Sequence, residues 1–368
     1  MKKITKTALA CAMLLTCACT NSQKENELTL LIGTYTNTGS KGIYTYRLNT
    51  ETLQETLLAE TETDNPSFLA VSKDHKKVYS VSEGKETSFV HAFDFNKNSG
   101  ELTFLNKAAV GKGSCHVLLN EEAGFVSSAS YSGGSISVCP LMKDGMVRMS
   151  GEQYQYAGSG PDSIRQKSSY LHCTQASPDG KMLFATDLGG DAIYQYHILQ
   201  GDNKKLKSEG PIFVSPGSGP RHLTFNKKGN KAYLINELSG FVDVFEYNEK
   251  SGLKKVQSIL ADTAHGRCSA DIHLSPDNRF LYVSTRLKGD GIHIFSVGKD
   301  GLLTRIGYQS TAKVPRNFSI SPDGKLMFVA CMKDECIQIF RIDPKNGQLT
   351  DTHKRFSVKR PVFVKALK

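Results

Sequence analysis

The chain has 368 residues, is 39% hydrophobic and 22% charged, and carries 32 glycines, no tryptophan and a formal net charge of +10. That profile excludes a disordered or collagen-like chain and describes a turn-rich globular protein. The lysines are scattered through turns, with no basic run interleaved with aromatics, so the charge reads as solvated surface and no nucleic-acid partner is expected.

The first element is a leader. "MKKITKTALACAMLLTCACTNSQKENE" has a basic start at Lys2, Lys3 and Lys6, an apolar stretch from Ala8 to Leu15, and small residues before Cys19. It is too short for a stable membrane span and has the layout of a secretory signal. Its "TCAC" end resembles a bacterial lipoprotein cleavage box. A signal peptide is therefore expected over 1–18, with Cys19 as the lipidated residue and 19–27 as a tether. Cys17 and plain secretion are the alternatives. The expected place is the bacterial cell envelope, on the periplasmic side or the outer membrane, with membrane contact only through the lipid. The six cysteines beyond the leader form no C-x-x-C pair, so a zinc ribbon is excluded and buried thiols are expected. Export leaves a disulfide open for Cys331 and Cys336, which flank one tight turn.

From residue 28 onward the chain shows short runs of strand formers bounded by Gly, Asn, Asp and Pro, with almost no helical period. "LTLLIGTYT", "KGIYTYRL" and "ETLQETLLAE" supply three strands. A unit then recurs: an apolar strand, a polar turn, a second apolar strand, and two more strands. Its turn reads "SKDHKK" (72–77), "NEEAG" (120–124), "SPDGK" (177–181), "NKKGNK" (226–231), "SPDNR" (275–279) and "SPDGK" (321–325). The spacing of roughly fifty residues is the period of four-stranded propeller blades. The last segment, "RPVFVKAL" (360–367), copies the start of the preceding unit and has nothing after it. Joined to the three N-terminal strands it completes a seventh blade and removes the open sheet edges. The expected fold is all-β: one seven-bladed β-propeller domain over 28–368, its last blade closed by N-terminal strands plus the C-terminal strand.

In such blades the first strand lines the channel and neighbouring strands are antiparallel. Starts of first strands and ends of second strands therefore share one face, and the "SPDG" turns lie on the other. The starts provide Cys115 and His116, Tyr170 and His172, Arg221 and His222, Ala270 and Asp271, and Arg316 and Asn317. The ends provide Glu83, Tyr131, Asp187, Asn236, Glu237 and Arg286, and "GSGPDSIRQ" (158–166) adds Arg165. Singly, each reads as a solvated strand end; together they form a concave polar site.

These residue types point to attack of water on a carbonyl. Glu237 is expected as the base, Arg221 and Arg286 as oxyanion or anion ligands, and His172 as proton donor to the leaving oxygen. His222, Asn236, His116, Arg165, Arg316 and Tyr131 are expected to contact substrate. No G-x-S-x-G elbow or helix-based phosphate loop occurs. His116, His172 and His222 lack metal-ligand spacing and read as hydrogen-bonded channel residues, so no metal or cofactor is expected. His265 reads as a solvated loop residue.

"LIGTYTNTGSKGIYTYRL", "YSGGSISVCPL", "GSGPDSIRQ", "PGSGPRHLTF", "AYLINEL" and "SPDNRFLYVSTR" resemble the seven-bladed propeller lactonase family. Its best-known activity is that of 6-phosphogluconolactonase, and fungal carboxymuconate-lactonizing enzyme is a second member. The resemblance implies a site of one histidine, two arginines and a glutamate. By motif these fall on His172, Arg221, Arg286 and Glu237. Tyr170 stands where the family has the first histidine of an H-x-H, and Asn317 where "PRHF" is usual. The implied substrate is a small-molecule sugar lactone, first of all 6-phosphogluconolactone. An exported protein also fits an unphosphorylated aldonolactone, since 6-phosphogluconolactone is made in the cytoplasm. A muconate-lactonizing cycloisomerase and a non-catalytic glycan- or protein-binding propeller are the other readings.

Overall fold

The computed structural model describes residues 26–149, 151–201 and 205–368. The expected signal peptide, Cys19 and nearly all of the tether lie outside the described residues. Among the described residues, twenty-eight strands form seven four-stranded antiparallel sheets. Six follow chain order: blade I (69–110), blade II (114–155), blade III (171–213), blade IV (220–260), blade V (269–310) and blade VI (315–357). In blade VII the C-terminal strand Pro361–Leu367 pairs with Glu27–Thr34, followed by Gly42–Asn49 and Glu55–Glu62. The ring is closed through both chain ends, as the repeat pattern requires.

Blades pack face on face through apolar side chains that alternate along their strands. Tyr233, Ile235, Val242 and Val244 of blade IV meet Ile272, Leu281, Val283 and Phe295 of blade V, all buried. Each such side chain contributes roughly 1.5–3 kcal/mol relative to exposure, so the interfaces between blades are the core. Cys331 and Cys336 lie opposite each other in blade VI as free thiols.

The recurring turn has a local cause. In "SPDG" the serine hydroxyl bonds the aspartate two residues on: Ser72 to Asp74 at 2.7 Å, Ser275 to Asp277 at 2.6 Å and Ser321 to Asp323 at 2.6 Å. The fourth residue takes a positive φ, 70° at Gly180 and 75° at Gly324, with Asn278 and His75 in the same role at 60° and 57°. Glycine and asparagine are suited to that left-handed conformation.

A second regularity lies at the other face. In blades II, III, IV and VI the first strand slips by one residue against the second, which leaves Cys115, His172, Arg221 and Arg316 unpaired. Blade V slips between Ser269 and Ile272. Such bulges re-aim side chains.

Candidate active site

Two rings of positions meet at this face. The bulged residues form the inner ring. The outer ring holds the residues just past each second strand, namely Tyr35, Glu83, Tyr131, Leu188, Glu237, Arg286 and Met332. Sequence reading missed Tyr35, although the same positional rule finds it once Glu27–Thr34 is recognised as a second strand. Its hydroxyl donates to Glu83 Oε2 at 3.1 Å, and the Arg316 guanidinium lies 5.5 Å from its ring.

Glu237 is the centre. Arg221 Nε donates to Glu237 Oε2 at 2.9 Å, Arg286 lies 3.3 Å from the same oxygen, and Arg165 donates to Oε1 at 2.5 Å. Burial alone would raise the Glu237 carboxyl, but Arg286, Arg221 and Arg165 outweigh it and hold it at about 2. Arg221 is fully buried; desolvation and Arg286 bring its guanidinium down to about 10, still charged at neutral pH. Its Nη1 also donates to Ala270 O at 2.5 Å, while Arg286 Nε donates to Cys268 O at 2.9 Å.

Two loops that carry arginines share one anchor. Asp191 accepts from Gln166 Nε2 at 2.8 Å, beside Arg165, and from the backbone N–H groups of Gly217 and Gly219 at 2.6 and 2.8 Å, just before Arg221. Gly219 has φ 68°, and a Cβ there would lie 2.6 Å from Leu238. The turn before Arg221 thus requires glycine.

His172 is buried beside Arg221, His222 and Arg316. Burial first, then those neighbours, keep its imidazole neutral well below the usual histidine range. Tyr131 packs edge-on to it at 5.6 Å and stacks on Tyr170 at 4.7 Å, so an aromatic pair walls this side of His172. Cys115 Sγ lies 3.8 Å from His172 Nδ1, but burial pushes its thiol up, and it is no candidate nucleophile.

Not every expected residue faces this mouth. Asn236 is buried and donates to Phe241 O at 3.2 Å and Asp243 Oδ2 at 3.0 Å inside its own blade. Strand alternation turns it away from Glu237, its neighbour in sequence. His116 lies on the far side of a plug formed by Phe68, His222 and Asn317. There it lines a cavity of about 370 Å³ that opens past Pro276 of a "SPDN" turn. The recess on the near side, of about 10 Å³, holds Cys115, His172, Arg221 and Arg316. The larger void therefore lies away from the arginine cluster, and the charged groups, not the volume, locate the chemistry. His265 is exposed, as its loop position suggests. Among the described residues no group of three His, Cys, Asp or Glu side chains converges as metal ligands.

The model of the family described as "Lactonase, 7-bladed beta-propeller" matches residues 29–366. The chain belongs to this lactonase family. It is 34% identical over 345 residues to a 6-phosphogluconolactonase of Bacillus subtilis, covering 91% of this chain and 97% of that one. A solved structure from Bacteroides fragilis aligns at 45% identity and a TM-score of 0.89, covering 93% and 98% of the two chains. The periplasmic gluconolactonase of Pseudomonas aeruginosa aligns at 29% identity and a TM-score of 0.87, covering 93% and 99%. The lactonase is thus placed among carboxylic ester hydrolases, and Arg221 and Arg286 are each within bonding reach of Glu237.

Proposed function

We propose that this lactonase opens an aldonolactone at the arginine-lined mouth, with 6-phosphogluconolactone as first-choice substrate. The observation that carries the reading is the convergence of Arg165, Arg221 and Arg286 on the single carboxylate of Glu237, with Arg316 nearby. The surplus of positive charge suits a phosphorylated lactone and the oxyanion formed when water adds to its carbonyl. Glu237, ionised at neutral pH, accepts a proton from the attacking water. Held at about 2 it is a weak base. An incoming phosphate that draws Arg165 away removes one of its cations and raises its basicity. His172 is neutral at rest, so it delivers a proton to the departing ring oxygen only after taking one up; its proposed role is a relay. Arg221 and Arg286 hold the oxyanion until the ring C–O bond breaks and the carboxylic acid and hydroxyl of the product are formed.

A second reading is favoured by the leader and by the likeness to the Pseudomonas enzyme: an exported lactonase, lipid-anchored through Cys19, that opens unphosphorylated aldonolactones. The test is a panel of 6-phosphogluconolactone, gluconolactone and carboxymuconate with the mature protein, corrected for spontaneous opening. A kcat/KM highest for the phosphorylated lactone supports the first reading, and one highest for gluconolactone supports the second. Turnover of carboxymuconate alone, or saturable binding without turnover, rules out both. Loss of membrane association on Cys19→Ser tests the anchor.

A further inference from the structure

His222 sits between the Arg221 guanidinium and a buried carboxylate, Asp271. Its Nε2 lies 3.1 Å from Arg221 Nη1, and its Nδ1 lies 2.8 Å from Asp271 Oδ1. A guanidinium only donates, so Nε2 must carry the lone pair and Nδ1 the proton. The carboxylate is itself fixed. Asp271 Oδ1 also accepts the Ile272 N–H at 3.0 Å. Its Oδ2 accepts from His273 Nε2 at 2.8 Å, Asn317 Nδ2 at 2.5 Å and the Phe318 N–H at 3.2 Å. The amide of Asn317 cannot turn over, because its Oδ1 accepts the Val364 N–H at 2.8 Å.

We propose that Asp271 is a positioning residue for the lactonase: it fixes His222 as the Nδ1–H tautomer, whose Nε2 holds the Arg221 guanidinium in line with Glu237. The inference rests on the reading of Arg221 as an oxyanion ligand. Both Arg221 and His222 face the channel because the bulge at Arg221 leaves these neighbours on one side of the strand. Blades IV, V, VI and VII thereby set one guanidinium through an unbroken run of hydrogen bonds.

Asp271→Asn separates this role from bulk. Three donors face Oδ2 against two at Oδ1, so the new amide presents its oxygen to the three and its NH2 to His222 Nδ1, giving up the bond from the Ile272 N–H. His222 then takes its proton on Nε2, against Arg221 Nη1, and two donors confront each other. The expected result is a switch of His222 from Nδ1–H to Nε2–H in ¹⁵N NMR. With it, kcat should fall roughly a hundredfold while KM moves by much less, as for a misplaced reacting group. In a His222→Gln background, where the Gln oxygen accepts from Arg221 without a tautomer, Asp271→Asn should cost less than about threefold, a non-additivity that marks coupled residues. Wild-type His222 found as Nε2–H near pH 7 overturns the proposal, even if Asp271→Asn does not fold. So does a tautomer switch with unchanged kcat, or a full loss of kcat in the Gln background. A wild type that opens none of the lactones counts against the proposed function, and the tautomer measurement then decides this inference alone.

Discussion

Arg165 and Glu237 meet at 2.5 Å although 72 residues and a change of blade separate them. Glu237 is almost wholly buried, whereas the Arg165 side chain is 36% exposed, which makes it the one guanidinium of the cluster within easy reach of solvent. Arg165→Gln is expected to raise KM for 6-phosphogluconolactone roughly tenfold, the worth of one charge-assisted hydrogen bond. Turnover of gluconolactone should hold or rise, because Glu237 loses one of the cations that lower its basicity. Equal losses on both substrates would remove Arg165 from phosphate recognition.

Glu237→Gln removes the proposed proton acceptor and also strands two buried cations. Lactone opening should fall by roughly 10²–10⁴-fold, the usual share of a positioned base. Stability should fall too, on the order of 3 kcal/mol, because Arg221 and Arg286 lose their counter-charge in a dry site. Kinetics and denaturant unfolding of the same sample check both. Full activity, or a wholly unchanged unfolding midpoint, contradicts the arrangement.

Acid should weaken the fold in two stages. His222 is held neutral at about 4 by burial first and Arg221 next, below the ordinary 6.5. A depressed histidine contributes stability that is present above 6.5 and is lost as pH falls towards 4. Glu237, held at about 2 against an ordinary 4.5, contributes stability present above 4.5 and lost as pH falls towards 2. Unfolding free energy measured from pH 7 to pH 3 should therefore decline across both windows. His222→Gln should make the upper decline shallower, since His91, His116, His172 and His293, also lowered by burial, add to it, and Glu237→Gln should make the lower one shallower; a wild-type profile in either variant would reject its assignment.

Asp191 acts only as an acceptor, from the Gln166 amide NH2 and from the N–H groups of Gly217 and Gly219 in the turn before Arg221. Asp191→Asn turns an NH2 towards one of those donors and should loosen both loops. Activity is expected to fall by up to about a hundredfold, since small displacements of reacting groups cost that much. Limited proteolysis should cut faster within 158–166 and 215–219 than in wild type. Faster cleavage with intact activity would show that these loops do not set the arginines.

The fold was readable because its signals are local. Each "SPDG"-like turn states its conformation in four residues, and strand alternation states which face is buried, so the period and the split blade follow without tertiary information. The pairing of Arg221 with Glu237 was readable for the same reason: one hairpin of antiparallel strands returns the chain to one mouth. Asn236, expected to contact substrate, bonds instead within its own blade, because neighbours on a strand point to opposite sides and only the observed register says which of Asn236 and Glu237 faces the channel.

The residues that sequence reasoning could not assign depend on contacts between blades. Nothing near Asp271 in the chain announces that His222, Asn317 and Phe318 close on its carboxylate, since they lie 49, 46 and 47 positions away. Nor does "RQ" announce that Arg165 would cross to Glu237. The bulges that aim His172, Arg221 and Arg316 inward are properties of a strand pair, not of either strand. The sequence by itself determined the seven-fold repeat, the closure of the ring and the residue types gathered at its mouth, because turn chemistry and alternation act over a few residues. Only the tertiary structure decided which of those residues touch, which tautomer His222 adopts and how far Glu237 is held from its ordinary acidity. Charge interactions and hydrogen-bond direction depend on distances across blades, and those exist only once the ring has closed.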